Sequence, residues 1–511
     1  MDKLIQDKFY VKQLLAFVGL QPLIDIYRVF VENKIEFAGI SLAEWINILA
    51  FGYLCVLFVI KNFRTPKYYV PLVVYGVAFV LYFALHAWNI LQFNEDILNG
   101  AEISVFKELY FIIRVYLIPL VVFYMMLCVK IHTKSLEIVT KYLSWFISIV
   151  IVVTNLLKVS FVSYAGSIEG NAFITRNIIE WFTNPDAENI AYMTSKGWFY
   201  MGNQIGIILF MLYPFTVMYA MKYKKRQNYF LVLLQGIAMI MVGTKVAAFG
   251  CVLILLSALG IVVVFGFILK QIPIRVRDFV VLCSITLGLT VLLLNSPIIS
   301  MQTQRGESSI VDVEDLQLRK EMKEFEADLE AGGEVARAEI IKFAKTIKKY
   351  SSAYGIDKEF VELFDVEDNY MFWYKIAVSA NNDHIDYRFF KKMIYTEVLK
   401  KNDNQFDRLL GIGYTSNFPY SEQDFVGQSI WFGSLGTALL IGPYFLCALY
   451  TVIYILKNRQ TNMRYENAFF AVSLGGITAL SIMAGHLFFG IFSIVIFAFL
   501  IAAFYHMQKE W

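Results

Sequence analysis

Lys222-Tyr223-Lys224-Lys225-Arg226, apolar residues 228–243, Gly243-Thr244-Lys245, apolar residues 246–269 and the basic run Lys270–Arg277 succeed one another without interruption, and their order decides the fold. Two apolar runs joined by a three-residue turn lie between two basic clusters. A membrane-spanning helix needs about 20 mostly apolar residues, and short cytoplasmic loops carry the excess Lys and Arg. A pair of spans that leaves the basic side and returns to it meets both conditions. The pattern extends outward through clusters at Lys3–Lys12, Lys61–Lys67, Lys130–Lys141, Lys457–Arg464 and Lys509, each neighbouring pair enclosing two apolar stretches. The chain therefore reads as an all-α polytopic membrane protein of about twelve transmembrane helices with both termini cytoplasmic. The candidate spans are 11–31, 42–60, 69–90, 108–129, 142–164, 198–221, 228–243, 246–269, 278–297, 425–456, 466–485 and 488–507. Gln21, Asp25 and Arg28 interrupt the first, which this reading lets lie partly in the interface.

Composition agrees. Of 511 residues, 58% are hydrophobic and 17% charged, against about a quarter charged in soluble domains, and the mean hydropathy is +0.57. Met1–Lys12 is polar and no small-residue cleavage site comes after it, so a cleaved secretion signal is not expected. Topology accounts for the basic clusters, which leaves nucleic-acid binding unsupported. Cys55, Cys128, Cys251, Cys283 and Cys447 all fall inside expected spans, so neither a disulfide framework nor a metal site is expected.

The chain divides into three parts: residues 1–297 with spans 1–9, a large extracytoplasmic loop at 298–424, and residues 425–511 with spans 10–12. Within the loop, Val311–Tyr350 is rich in Glu and Lys, with apolar residues at helical spacing and a break at Ala331-Gly332-Gly333. That pattern predicts one or two amphipathic helices. No whole-chain repeat of the kind that marks inverted-repeat transporters is visible.

Ionisable residues inside a membrane are costly and mark functional candidates. Arg114, Lys158 and Lys245 all fall toward the outer ends of their spans. Lys245 opens a helix, where free N–H groups and the positive dipole end favour an anion. Arg388 in the loop is expected to close over them. Arg offers a planar fork and Lys a point charge, so the set suits a lipid-linked phosphate or pyrophosphate. The competing reading has Lys158 and Lys245 snorkelling to headgroups and Arg114 paired with a buried carbonyl. His486 and His384 are candidate general bases, although a lone loop histidine such as His384 is more often plain surface. His86, inside the third span, is expected to be satisfied by a neighbouring helix. Glu422 and Asp424 stand where the loop re-enters the membrane. One of them is a candidate to activate an acceptor hydroxyl; alternatively both only favour a helix start.

Four stretches carry a likeness: Gly197-Trp198-Phe199-Tyr200-Met201-Gly202-Asn203-Gln204-Ile205-Gly206, Gly243-Thr244-Lys245, Tyr387-Arg388 with Leu410-Gly411-Ile412-Gly413-Tyr414, and Glu422-Gln423-Asp424-Phe425 with Phe432-Gly433-Ser434-Leu435-Gly436. In their order and spacing the chain resembles the O-antigen ligase and polysaccharide polymerase superfamily of bacterial membrane glycosyltransferases, especially its Gram-positive-type members. The resemblance implies an enzyme of the plasma membrane that takes a glycan from undecaprenyl pyrophosphate at the outer leaflet. It implies inverting transfer to a glycan or envelope acceptor, with no metal and no cofactor. By it, Lys245 and Arg388 hold the pyrophosphate; Arg114 and Lys158 join that set from the charge reading above, and Asn203 and His384 are further candidate substrate contacts. Ligases commonly have a His-Asn pair where this chain has Glu422-Gln423, which moves base duty to Glu422, Asp424 or His486 and favours polymerase over ligase. The resemblance leaves a chain-length regulator open as a partner. A flippase for the same lipid-linked sugars is a third reading, disfavoured because the charges gather at one face and the loop breaks any symmetry between halves.

Overall fold

A computed structural model describes residues 5, 7–31, 36–37, 40–99, 103–163, 172–183, 190–271, 275–301, 320, 327, 340–342, 344–345, 358–373, 387–414 and 423–510. Among them, ten helices are long and apolar enough to cross a membrane: Lys8–Val31, Leu42–Asn62, Pro66–Ile90, Val105–Cys128, Thr133–Leu156, Gly202–Tyr223, Lys245–Ile268, Val276–Leu294, Tyr465–Met483 and Ile491–Gln508. The Arg226–Val242 helix is apolar but has only 17 residues. The chain is an all-α polytopic membrane protein. The amphipathic helices expected at 311–350 lie almost entirely outside the described residues.

The stretch expected as one span at 425–456 is instead three helices, Asp424–Trp431, Gly433–Leu440 and Gly442–Lys457. Pro443 causes the second break, because it lacks an N–H and its ring excludes the carbonyl one turn earlier. Gly433 causes the first. Its φ is +65°, a left-handed conformation that costs other residues roughly 1–2 kcal/mol. A Cβ there would also collide with the backbone of Leu409 and Leu410. Gly411, at φ +85°, meets the Trp431 carbonyl in the same way. The two glycines let the segments interlock, and Ile412 N and Gly413 N then donate to Ile430 O and Trp431 O at 2.9 Å. Gly433→Ala is therefore expected to abolish folded, monodisperse protein in size-exclusion chromatography, whereas Ser434→Ala leaves the profile unchanged.

The chain forms two compact units. The first comprises Met1–Gly76, Ile112–Gln302 and Leu440–Trp511; the second comprises Val77–Phe111 and Thr303–Leu439. In the first, the Gly202–Tyr223 helix is enclosed on all sides and Ile491–Gln508 nearly so, as expected of helices apolar all round. Pro214 interrupts the backbone ladder of Gly202–Tyr223, and within a membrane neighbouring side chains must serve the carbonyls near such a break. Gln235 Nε2 donates to Leu209 O at 3.1 Å and Ser473 Oγ to Met211 O at 2.7 Å. Leu42–Asn62 keeps much of its surface outward, with Leu49, Val56 and Ile60 exposed, as suits a lipid-facing span.

Candidate active site

In the first unit, polar residues of the Lys8–Val31 helix turn inward instead of interrupting a span. Gln21 is buried and its Nε2 donates to Asn47 Oδ1 at 3.0 Å. Asp25 and Arg28, one turn apart, line a cavity of about 70 Å³ together with Glu44, Asn47, Arg114 and Gln204. At 10–15 Å³ for each water-sized probe position, the space suits roughly five waters or one small anionic group. Arg114 forms an ion pair with Glu44. It sits in a π-helical segment, Ile113–Leu117, inside its span. Such segments insert an extra residue and recur at functional sites.

The cavity also meets the start of the Gly202–Tyr223 helix, since Met201 and Gln204 both line it. That helix end is crowded. A Cβ at Gly206 would stand 2.6 Å from the Thr244 hydroxyl, and one at Gly490 would collide with the Gln204 amide. Three helix starts, at Gly202, Lys245 and Ile491, therefore converge. Thr244 caps the Lys245 helix by accepting from Ala247 N at 3.3 Å, and Lys245 at its start is exposed. Beside them, Asn203 Nδ2 donates to His486 Nε2 at 3.1 Å. An amide N–H there fixes Nε2 as the acceptor and places the imidazole hydrogen on Nδ1. His486 has φ +72°, directly after Gly485 at +71°, and such non-glycine conformations collect at functional sites.

The remaining candidates of this unit separate. Lys158 lies beyond the end of Thr133–Leu156 with φ +56°. Its Nζ pairs with Glu180 Oε1 at 2.6 Å on an exposed stretch, and the pairing holds the Glu180 carboxyl below its usual range. Lys158 and Lys245 do not line the cavity; Arg114 does. The sequence gives no sign of Lys196. It is buried, its Nζ donates to Tyr200 O at 2.9 Å, and burial pushes its ammonium below the usual lysine range, with Asp25 opposing.

In the second unit, the Leu410–Tyr414 block is fastened by buried polar side chains. His86 Nδ1 donates to Leu410 O at 2.6 Å, and its Nε2 lies 3.2 Å from Glu108 Oε1. Tyr414 N donates to Glu108 Oε2 at 2.6 Å. Asn89 Nδ2 donates to Gly411 O at 2.9 Å and to Asp407 Oδ1 at 3.0 Å, and burial raises the Asp407 carboxyl above its usual range. The Tyr414 ring stacks on Phe111 at 4.0 Å. His86 is thus satisfied by a neighbouring helix, as expected, and Glu108 is the partner the sequence did not reveal. Asp424 is fully buried as the first residue of Asp424–Trp431. Arg388 lies in the first turn of the Tyr387–Asn402 helix; its side chain, His384 and Glu422 lie outside the described residues.

No curated protein matches the chain. A family model described as O-antigen ligase like membrane protein matches residues 7–508. The chain belongs to this family, and with it holds a glycosyltransferase-type role in polysaccharide assembly at a membrane.

Proposed function

We propose that the chain polymerises oligosaccharide repeat units carried on undecaprenyl pyrophosphate, by metal-independent inverting transfer at the outer leaflet of a bacterial plasma membrane. The observation that carries this reading is the cavity bearing Arg28 and Arg114 beside the start of the Gly202–Tyr223 helix. Two guanidinium groups and a helix dipole, set among the Asp25 and Glu44 carboxylates, suit a phosphate-sized group that displaces Glu44 from Arg114, and Lys245 stands at a neighbouring helix start. The acceptor hydroxyl attacks the anomeric carbon from the face opposite the phosphate. Its proton passes to a base while the bond from that carbon to the phosphate oxygen breaks, its electron pair leaving on the pyrophosphate. The cations stabilise the charge that develops there. His486 is a candidate base, taking the proton at Nε2 once the acceptor hydroxyl displaces the Asn203 amide from it; Glu422 and Asp424 keep that candidacy from the resemblance, as Arg388 keeps the pyrophosphate role, and His384 stays a candidate substrate contact. Polymerase is preferred to ligase because Glu422-Gln423 replaces the ligases' His-Asn.

Deleting the gene and analysing the surface glycan and its lipid-linked precursors tests this. Single repeat units accumulating on the carrier at the outer leaflet are expected. Full-length polymer retained on its carrier would instead make the protein a ligase, and units confined to the inner leaflet would make it a flippase. Complementation with Arg114→Ala is expected to raise the donor KM about tenfold, the effect of removing one charged hydrogen-bond donor. An unchanged donor KM would remove Arg114 from the site.

A further inference from the structure

Tyr200 is held on three sides. Its N–H donates to Asp25 Oδ2 at 3.0 Å, its carbonyl accepts from Lys196 Nζ at 2.9 Å, and the Arg28 guanidinium lies over its ring at 4.0 Å. Asp25 and Arg28 are neighbours on one helix face, so a single loop residue contacts both the acid and the base that this helix presents to the cavity. The residue after it, Met201, forms part of the cavity wall and opens the Gly202–Tyr223 helix.

Lys196 makes the arrangement costly. It is 5% exposed, and a buried ammonium is expensive unless well bonded. Its strand, Ser195–Gly197, pairs with Phe161–Val162, so the lysine reaches Tyr200 from a fixed backbone. A chain needing only a turn at this point would fill the position with an apolar side chain at lower cost.

We propose that Lys196 and Tyr200 are positioning residues that hold Asp25 and Arg28 in place at the cavity, an inference whose effect on the donor rests on the phosphate reading above. Tyr200 supplies the surface against which Arg28 lies, and Lys196 locks the peptide that carries that surface. Neither touches the reacting atoms.

The test uses the full-length protein in lipid nanodiscs. Two quantities are measured: the rate at which phenylglyoxal modifies Arg28, read by peptide mass spectrometry, and the donor KM and kcat on a lipid-linked repeat unit. Tyr200→Leu and Lys196→Met are expected to speed Arg28 modification severalfold and to raise the donor KM about tenfold, the scale of a desolvated cation–π contact, with kcat within about twofold. Tyr200→Phe, which keeps the ring and both backbone contacts, is expected to restore both values. Should Lys196→Met fail to fold, Tyr200→Leu decides alone, because it leaves the backbone bonds intact. Unchanged Arg28 modification in the folded variants overturns the positioning role. Faster modification with an unmoved donor KM upholds that role and instead removes phosphate binding from the cavity.

Discussion

Lys245→Ala is expected to reduce polymer formation about a hundredfold, the scale of losing one preorganised electrostatic contact in a transition state, while the protein still reaches the membrane. The lysine is the first residue of its helix and is exposed, so its removal leaves no cavity and, among the described residues, no unpaired partner. Thr244 keeps the cap and Gly206 keeps the close approach to the neighbouring helix; neither depends on the ammonium. A loss of product without a loss of protein therefore reports on charge at the site. Lys245→Arg is expected to retain most activity, because the charge persists. Glycan length on gels beside a membrane-fraction immunoblot measures both. Normal chain lengths in Lys245→Ala would refute a pyrophosphate role for this helix start.

Glu108→Ala is expected to destabilise the protein by about 3 kcal/mol, the usual scale for removing one partner of a buried pair. A carbonyl only accepts, so His86 Nδ1 carries a hydrogen toward Leu410 O, and a further proton must lie between Nε2 and Glu108 Oε1. Alanine removes the carboxylate that accepts from the Tyr414 N–H and that faces the buried His86 Nε2. Glu108→Gln is expected to cost less than about 1 kcal/mol, because its amide can donate to a neutral Nε2 while its carbonyl accepts from Tyr414. Thermal unfolding of purified protein in detergent distinguishes the two. Equal losses for both variants would mean that an ionised pair holds the block.

The membrane class is legible in the sequence because it rests on summed quantities: apolar runs near 20 residues and basic clusters between them. Individual polar residues are harder to place. Asp25 and Arg28 break the hydropathy of their span, and periodicity alone does not say whether such a break faces lipid or a cavity; only the partner loop at Lys196–Tyr200 shows that it faces inward. Glu108 lies at the edge of a span, where a carboxylate reads as a boundary. Its role depends on a partner 306 residues away, Tyr414, and separations of that kind leave no local mark. Pro443 is visible, yet the apolar composition on either side makes 425–456 read as continuous. The glycines of Leu410–Tyr414 and Phe432–Gly436 stand out as motifs, while the mutual fit that requires Gly411 and Gly433 exists only in three dimensions.

The π-helical turn around Arg114 bears on how such a site can arise. Each residue added to a regular helix rotates every later side chain by about 100°, from 3.6 residues per turn. One inserted residue, absorbed as the wide turn at Ile113–Leu117, therefore re-aims a cationic side chain around the circumference without rebuilding the flanking turns. A regular helix through the same residues would point that guanidinium elsewhere around the rod, off the cavity it now lines.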